Sequence, residues 1–218
     1  MLADPAAAAD FIRRNTLLGR PPALPEIALH LGSEITPLWE MTEKEMNDTG
    51  LPPPFWAFAW AGGQAVARYL LDHPDEVRGR SVLDVASGSG LAAIAAMLAG
   101  ASSARAADTD PMCSAAAAVN AEANNVQLAF VGEDLLDAPV PEVNVITAGD
   151  VCYERAMTYR MLRWLRSAHE QGSRVLLGDP GRTYLPGEGL VELAVYDVPT
   201  TPEIEQDDTR RTGVFTFA

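Results

Sequence analysis

Cysteine and histidine are scarce in this sequence, and their scarcity excludes two classes of protein. The 218 residues include two cysteines, Cys113 and Cys152, which are too few for a framework of disulfide bridges and lack the spacing of a metal site. The three histidines are scattered, so we expect no metal centre. No histidine base accompanies Cys152, so we expect its thiol to pack rather than react. A chain with so few thiols fits a reducing compartment, and we expect it in the cytoplasm.

Long apolar runs and an N-terminal leader are also missing. No stretch of 18 consecutive apolar residues occurs, which argues against a membrane-spanning helix and a membrane partner. The first residues include Asp4 and Asp10 and carry no basic leader, so they fit neither a signal peptide nor a transit peptide. Asp4 followed by Pro5 instead predicts the N-cap and first position of a short helix.

Positive charge is in the minority. The chain has 16 Lys+Arg against 30 Asp+Glu, which gives a formal net charge of −14, and Lys44 is the single lysine. A protein of this charge repels the backbones of nucleic acids, so we expect no DNA or RNA partner. The charge favours instead a partner with a basic surface.

The most informative stretch that the sequence does contain is residues 81–90, S-V-L-D-V-A-S-G-S-G. Its first half is an aliphatic run of the length of a buried parallel strand, and its second half is a glycine turn that leads into a predicted helix over residues 91–98. This order turns backbone N–H groups and a helix N-terminus towards a ligand. The turn also satisfies G-x-G-x-x-G/A, so the glycines alone leave open which adenosine-containing ligand binds.

Two carboxylates narrow the choice of ligand. Asp108 follows a second predicted strand, residues 104–107, and lies 20 residues after Gly88, which is the spacing of a ribose-binding acid in a nucleotide-binding βαβ unit. Asp84 lies in the first strand, four residues before Gly88. A carboxylate there would repel a pyrophosphate and suits a ligand with a cationic amino-acid end.

Strands and helices alternate regularly from residue 80 onward, as a parallel sheet requires. The last third has strands without a long helix, which predicts an antiparallel hairpin at the end of a mostly parallel sheet. We therefore predict one α/β domain over residues 51–218, preceded by an extension, residues 1–50, with a short helix and an edge strand or hairpin arm. The other predicted strands cover residues 26–31, 126–131, 143–148, 174–177, 190–198 and 213–217, and the other helices cover residues 64–71, 111–124 and a stripe from Met157 to Ala168.

Small or polar residues follow each of the first five core strands. Ligands of open α/β sheets bind outside the carboxyl ends of the strands, so we expect these residues to converge on one edge. Within the group that follows the fifth core strand, residues 179–182 are either a tight turn or a border of the substrate opening, with Arg182 or Tyr184 at the rim. The groups are residues 86–90, Asp108, Glu133 with Asp134, residues 149–153 and residues 178–182.

Residues 51–64, L-P-P-P-F-W-A-F-A-W-A-G-G-Q, combine prolines, aromatic rings and a glycine pair. The prolines keep the chain extended, and Gly62 and Gly63 allow another backbone to approach closely. Two interpretations stay open. The segment is an aromatic plug over one end of the sheet, or Trp60 packs on a cofactor, since an aromatic face suits both adenine and a sulfonium.

Together these motifs carry a family resemblance. V-L-D-V-A-S-G-S-G followed by A-A-D-T-D-P resembles the first motif and ribose acid of S-adenosylmethionine-dependent methyltransferases, with Ala86 where a glycine is usual. D-x-x-Y, from Asp150 to Tyr153, resembles the signature of the seven-stranded protein-lysine methyltransferases. P-P-F-W-A-F-A-W-A-G-G-Q, G-D-V-C-Y-E and L-L-G-D-P-G-R are similar to the family that methylates lysines of the electron transfer flavoprotein β subunit, and the resemblance runs from about residue 22 to the C-terminus.

The resemblance implies a Rossmann-like seven-stranded sheet, S-adenosylmethionine as the cofactor, and two catalytic residues, Asp150 and Tyr153, that face the methyl group and the incoming amine. It further implies that Asp108 takes the ribose hydroxyls and that Asp134, or Glu133, lies near the adenine. The implied cofactor-binding residues are Trp60, Asp84, Gly88, Gly90, Asp108, Asp134 and Gly149.

The chemistry of methyl transfer agrees with these roles. The thioether that leaves a sulfonium is neutral and needs no acid, but a lysine with a pKa of about 10.4 is almost entirely protonated near neutrality. The site must therefore take the free amine, orient it in line with the S–CH₃ bond and tolerate the cation that forms. Asp150 favours that cation, and the Tyr153 hydroxyl can position the nitrogen.

The expected substrate is the electron transfer flavoprotein β subunit, and we expect a monomer. Three other readings stay open: a methyltransferase for another protein, such as a ribosomal protein, or for a small amine; a nucleotide-dependent dehydrogenase; and a cofactor-binding module without catalysis. Asp84 argues against the dehydrogenase, and the intact D-x-x-Y argues against the silent module.

Overall fold

The chain is built on one large sheet with helices on both faces. The computed structural model describes residues 4–32, 54–200 and 208–218, so parts of the predicted extension and of the aromatic segment, residues 33–53, lie outside the described residues. Helices α1 to α5 span Pro5–Asn15, Ala61–Asp72, Leu91–Leu98, Pro111–Ala123 and Arg155–Glu170, and strands β1 to β9 span Leu17–Gly19, Leu29–Leu31, Ser81–Val85, Ser103–Ala107, Ala129–Val131, Val145–Gly149, Arg174–Asp179, Leu190–Pro199 and Thr209–Phe217.

The large sheet has the strand order β5-β4-β3-β6-β7-β9-β8. The first five of these strands are parallel, and β3 is central, with Val85 opposite Ala107 of β4 on one side and Ala148 of β6 on the other. β9 runs antiparallel to both β7 and β8. This arrangement confirms the predicted fold class, a mostly parallel seven-stranded sheet that ends in an antiparallel hairpin.

Sequence periodicity explains how the helices cover the sheet. α3 reads L-A-A-I-A-A-M-L, and its first six residues are buried because α2 packs against it over one face of the sheet. On the other face, α5 buries Met161, Trp164, Leu165 and Ala168, which recur at helical spacing and confirm the predicted stripe. No helix of the described ranges is long and apolar enough to cross a membrane.

The N-terminal segment packs beside the core. Asp4 caps α1 by accepting the N–H of Ala6, as predicted. β1 and β2 pair antiparallel into a two-stranded ribbon, with Leu18 opposite His30. The expected hairpin arm at residues 26–31 is thus confirmed, although its strand covers only Leu29–Leu31 and its partner β1 was not predicted.

Several predicted boundaries differ from the structure: β9 begins at Thr209 rather than residue 213, and β6 begins at Val145 rather than residue 143. Two further differences have a clear physical reason. α2 begins at Ala61, three residues before the predicted start, because Gly62 and Gly63 fit against the sheet despite being poor helix formers. β5 begins at Ala129 rather than residue 126, since the N–H of Val126 bonds back to the carbonyl of Ala121 and closes the end of α4.

Candidate active site

Four strand ends meet at one edge of the sheet. β3, β4, β6 and β7 run parallel, so their carboxyl ends point the same way. The strand order reverses beside β3, with β4 and β5 on one side and β6 and β7 on the other. Ligands of open α/β sheets bind at such a switch point. The polar residues predicted to follow these strands therefore share the edge where a ligand is expected.

The glycine turn after β3 has an unusual backbone. Ala86, Gly88 and Gly90 all have positive φ, at +52°, +50° and +79°. Ala86 thus adopts the left-handed conformation that glycine accepts most easily, which explains why a glycine is usual at this position. Gly90 also has no room for a side chain, because a Cβ would lie 3.1 Å from the Cβ of Ala117.

One polar atom in this turn lacks a hydrogen-bond partner within the described part of the chain. The Ser87 Oγ is buried and has no hydrogen-bond partner among the described residues. Buried hydroxyls are normally bonded, so this oxygen fits a site that is completed by a polar ligand. Ala86 is exposed and Gly88 is half-buried, so this part of the turn is open to a ligand and compatible with the amino-acid end of S-adenosylmethionine.

Asp108 braces the same turn from the end of β4. Its Oδ2 accepts the N–H of Gly88 at 2.9 Å, and its Oδ1 accepts the N–H of Asp110 at 3.0 Å. Each carboxylate oxygen has a second lone pair, so these bonds leave acceptor capacity for ribose hydroxyls. The position agrees with the predicted role, and that role stays a prediction.

Asp84 is buried beneath the turn. Its Oδ1 accepts the Thr147 hydroxyl at 2.8 Å, and its Oδ2 accepts the N–H of Ala93, in the first turn of α3, at 3.3 Å. Burial raises the pKa of Asp84 to about 7, against the lowering effect of these two bonds. The carboxylate is thus held where its charge is disfavoured unless a cation lies nearby.

Asp150 lies between a cation and a helix start. Its Oδ1 pairs with Arg182 Nη2 at 2.8 Å, and its Oδ2 accepts the N–H of Gly63 at 2.9 Å. Burial raises the pKa of Asp150 to about 6, although Arg182 opposes that shift. Its backbone has a φ of +58°, a strained conformation for this residue that the two contacts help to hold.

The turn that follows β7 presents Arg182. Asp179 Oδ1 accepts the N–H groups of Gly181 and Arg182 at 2.8 and 2.6 Å, which confirms the predicted tight turn. The Arg182 guanidinium reaches inward to Asp150 and lies 5.9 Å from the centre of the Trp60 ring. Only 19% of its side chain is exposed, so Arg182 is mostly buried beside Asp150, and its place at the rim of a substrate opening stays a prediction.

Aromatic rings line the outer side of the site. Trp60 is the N-cap of α2, and its indole N–H donates to the carbonyl of Phe55 at 3.0 Å. The Phe55 ring lies 5.7 Å from Trp60 and 6.2 Å from Tyr153. Tyr153 is 54% exposed, and burial of its other part, with the charge of Asp108 nearby, raises its pKa. The plug and the cofactor-stacking interpretations of Trp60 both agree with this geometry.

Three glycines, Gly62, Gly149 and Gly178, allow α2 to lie against the sheet. A Cβ on Gly149 would lie 2.5 Å from the nitrogen of Gly63, and a Cβ on Gly62 would overlap the carbonyl oxygen of Gly178. Gly149, predicted to line the cofactor pocket, therefore also has a packing reason to be glycine. This close contact brings the backbone N–H of Gly63 within hydrogen-bond distance of the Asp150 carboxylate.

Asp134 contacts α5 rather than the strand ends and turns that hold the other predicted residues. Its Oδ2 accepts from Arg160 of α5 at 2.9 Å, and its Oδ1 accepts the N–H of Leu136 at 3.0 Å. These contacts lower the pKa of Asp134. A role of Asp134 near the adenine stays a prediction. In that role, a carboxylate oxygen would accept a hydrogen bond from the adenine in addition to the bond it already accepts from Arg160 or Leu136.

Cys152, inside the D-x-x-Y motif, is fully buried, and burial raises the pKa of its thiol to about 12. A thiol that stays protonated is a poor nucleophile, which agrees with the predicted packing role.

Sequence reasoning missed one residue and one pairing that build the site. Thr147, which bonds Asp84, has a weak local signal because it interrupts an apolar strand. The pairing of Arg182 with Asp150 has none, because the two residues are 32 positions apart.

The chain matches known methyltransferases along most of its length. Residues 67–149 match the PrmA family, ribosomal protein L11 methyltransferase. The electron transfer flavoprotein β-subunit lysine methyltransferase of Rattus norvegicus is 34% identical over 214 residues, covering 95% of this chain and 83% of that protein. This chain belongs to the electron transfer flavoprotein β-subunit lysine methyltransferase family. The relative from Xenopus laevis is 35% identical over 95% of this chain and 85% of that protein, and the one from Homo sapiens is 36% identical over 83% and 69%.

Solved structures agree with this family at the level of the fold. The Thermus thermophilus 16S rRNA N2 G1207 methyltransferase, in complex with AdoMet and guanosine, has a TM-score of 0.54 at 16% identity, covering 73% of this chain and 43% of that chain. The ribosomal protein L11 methylase of Lactobacillus delbrueckii subsp. bulgaricus has a TM-score of 0.51 at 20% identity, covering 78% and 82%. The family membership confirms the predicted enzyme class and S-adenosylmethionine as the cofactor. The roles of single residues stay predictions.

Proposed function

We propose that this chain transfers methyl groups from S-adenosylmethionine to lysine side chains of the electron transfer flavoprotein β subunit. The observation that carries the proposal is the 34% identity to a relative of that name over 95% of the chain. The D-x-x-Y motif, which follows β6 at the edge where a ligand is expected, supports it.

The cofactor supplies the methyl group on its sulfonium. Asp84 and the turn around Gly88 and Gly90 would hold its amino-acid end, and Asp108 would accept its ribose hydroxyls. Trp60, Asp134 and Gly149 would complete the pocket. Tyr153 follows β6 and Asp108 follows β4 at the same edge of the sheet, which supports a methyl acceptor site beside this pocket.

Asp150 and Tyr153 would act on the amine. The Asp150 carboxylate is ionised near neutrality, since its pKa is about 6, and a carboxylate stabilises the ammonium that forms as the methyl group arrives. Asp150 reaches the amine by sharing the oxygen that Arg182 contacts. Tyr153 lies at the exposed outer side, where its hydroxyl can align the nitrogen of an incoming lysine.

The test is transfer of a labelled methyl group. The purified chain is incubated with labelled S-adenosylmethionine and either electron transfer flavoprotein or ribosomal protein L11, and labelled lysines are located by mass spectrometry. The second acceptor is included because residues 67–149 match the ribosomal protein L11 methyltransferase family. We expect label on the flavoprotein β subunit. Label on ribosomal protein L11 alone would overturn the proposed substrate.

The remaining expectations concern setting and assembly. We propose that the chain acts as a cytoplasmic monomer, with one catalytic domain over residues 51–218, and that it binds neither nucleic acid nor membrane. The net charge of −14 supports the part about nucleic acid, because phosphate backbones repel such a protein.

A further inference from the structure

Asn120 is a polar side chain on an apolar helix, and it is completely buried. Its neighbours on α4 are mostly alanines that pack towards the core and towards α1. Burying an amide is unfavourable unless all its groups find partners, so the partners of Asn120 show what the residue does.

Asn120 joins the N-terminal ribbon to the glycine turn. Its Oδ1 accepts the backbone N–H of His30 in β2 at 2.7 Å, and its Nδ2 donates to the carbonyl of Ser89 at 2.9 Å. Ser89 is itself buried and precedes Gly90, the N-cap of α3. One side chain thus connects the ribbon to the turn that faces the cofactor.

Asn124, one helical turn later, offers a natural comparison. Its amide bonds both the N–H and the carbonyl of Ala28, at 2.8 and 2.6 Å, so it also holds the ribbon backbone. It makes no hydrogen bond to the glycine turn within the described ranges. The two asparagines therefore share the ribbon and differ in their contact with the cofactor site.

A second connection links the ribbon to the glycine turn through residues 55–57. The N–H of Gly32, just after the ribbon, donates to the carbonyl of Ala57 at 2.7 Å. Ala57 ends the 3₁₀ turn Phe55–Ala57, whose backbone lies within 4 Å of the position a Gly88 side chain would take. The ribbon thus has a second, indirect connection to the cofactor turn.

We propose that Asn120 is a positioning residue for the cofactor, and that it makes cofactor affinity depend on the N-terminal ribbon. The turn holds three residues in left-handed conformations, including the strained Ala86, and such a backbone needs external contacts to stay ordered. Without the Ser89 bond, part of the binding free energy of the cofactor is spent on ordering the turn. The proposal rests on the cofactor site of the proposed function and not on its protein substrate.

The experiment compares Asn120→Ala with Asn124→Ala. Calorimetry measures S-adenosylhomocysteine affinity, thermal unfolding measures stability, and kinetics separate the KM for S-adenosylmethionine from kcat. We expect both variants to lose stability. Asn120→Ala should bind about tenfold more weakly and raise that KM with kcat nearly unchanged, whereas Asn124→Ala should stay within about twofold of wild type.

Two results would overturn the proposal: equal losses of affinity in both variants, or no loss in either. If Asn120→Ala does not fold, Asn120→Ser replaces it, because serine keeps a polar group in the cavity but is too short to bridge His30 and Ser89. Wild-type protein that binds S-adenosylhomocysteine but does not methylate the flavoprotein would contradict the proposed substrate and leave this inference standing.

Discussion

Asp84 and Asp150 are both carboxylates whose charge is opposed by burial, and they differ in what surrounds them. Asp150 has the guanidinium of Arg182 at 2.8 Å, whereas Asp84 has a hydroxyl and a backbone N–H. Burial therefore raises the pKa of Asp84 further, to about 7 against about 6 for Asp150. Groups with perturbed pKa values at the ligand-binding edge of a sheet are candidates for function, and substituting either aspartate tests its role.

The first prediction concerns the pH dependence of stability. Between the ordinary pKa of 3.8 and the folded value of about 7, the folded chain keeps a proton on Asp84 that the unfolded chain has released. The contribution of Asp84 is therefore complete below about pH 4 and is lost as the pH rises through 7. Asp84→Asn should flatten this fall and be more stable than wild type at pH 8, while binding the cofactor more weakly.

Denaturant unfolding of cofactor-free protein from pH 5 to 8 measures this effect. Asp75→Asn is the surface control, because its side chain is 88% exposed. Parallel pH curves for wild type and Asp84→Asn would contradict the prediction.

The second prediction concerns Asp108. Asp108→Ala should weaken S-adenosylhomocysteine binding by about 1–3 kcal/mol, since it removes a charged hydrogen-bond acceptor and also frees the N–H of Gly88. Asp108→Asn keeps an acceptor for Gly88 and should lose less. Calorimetry separates the variants, and unchanged affinity in Asp108→Ala would place the ribose elsewhere.

The third prediction separates catalysis from cofactor binding. Asp150→Asn keeps an acceptor for the N–H of Gly63 but turns its amide nitrogen towards Arg182 and removes the negative charge, so it should lose some stability, still fold and retain S-adenosylhomocysteine affinity. Its single-turnover methylation rate should fall by about two to three decades, or about 2.7–4 kcal/mol. Tyr153→Phe should lose less because it keeps the ring.

The control for Asp150→Asn and Tyr153→Phe is Asp137→Asn. Asp137 is an exposed partner of Arg160, and its substitution should leave the methylation rate unchanged. If Asp150→Asn loses binding and rate equally, Asp150 is a cofactor or structural residue and the amine is handled by other groups.

At the scale of elements, the contact of α2 with the ends of β6 and β7 decides the shape of the site. It depends on glycine, because a Cβ on Gly62 would overlap the carbonyl of Gly178, whereas a Cβ on Gly63 would meet nothing within 4 Å. Adjacent positions of one helix thus face a closed and an open environment. This contact also brings the N–H of Gly63 to Asp150.

The fourth prediction uses this pair. Gly62→Ala should lower the free energy of unfolding by about 3 kcal/mol, because α2 must move away from the sheet. Gly63→Ala should be neutral or stabilising by about 0.5–1 kcal/mol, as expected for alanine in a helix. Chemical denaturation measures both. Similar stabilities for the two variants would show that α2 does not lie this close to the sheet.

At the scale of the whole molecule, the charge of −14 acts on partners rather than on the fold. The fifth prediction is that kcat/KM for the protein substrate falls several-fold as NaCl rises from about 20 to 300 mM, with kcat nearly constant, because salt screens attraction to a basic surface. Thermal unfolding over the same range checks that the enzyme stays folded. A salt-independent kcat/KM would mean that the contact surface on the substrate is not basic.

The sequence alone determined the βαβ core, the turn at residues 86–90, the spacing of Asp108 and the D-x-x-Y motif. These are local properties, because strand and helix periodicities and turn residues act within a few positions of the chain. It therefore also predicted the fold class and the enzyme class, which the family membership confirms.

Tertiary structure alone decided which groups touch. The start of α2 depends on Gly178, more than a hundred residues away, and the bridge from Asn120 to Ser89 spans 31 positions. The ion pair of Arg182 with Asp150 likewise joins residues that are 32 positions apart. Hydrogen bonds and packing contacts depend on distances of a few ångströms in space, and no period in the sequence encodes those distances between residues that are remote along the chain.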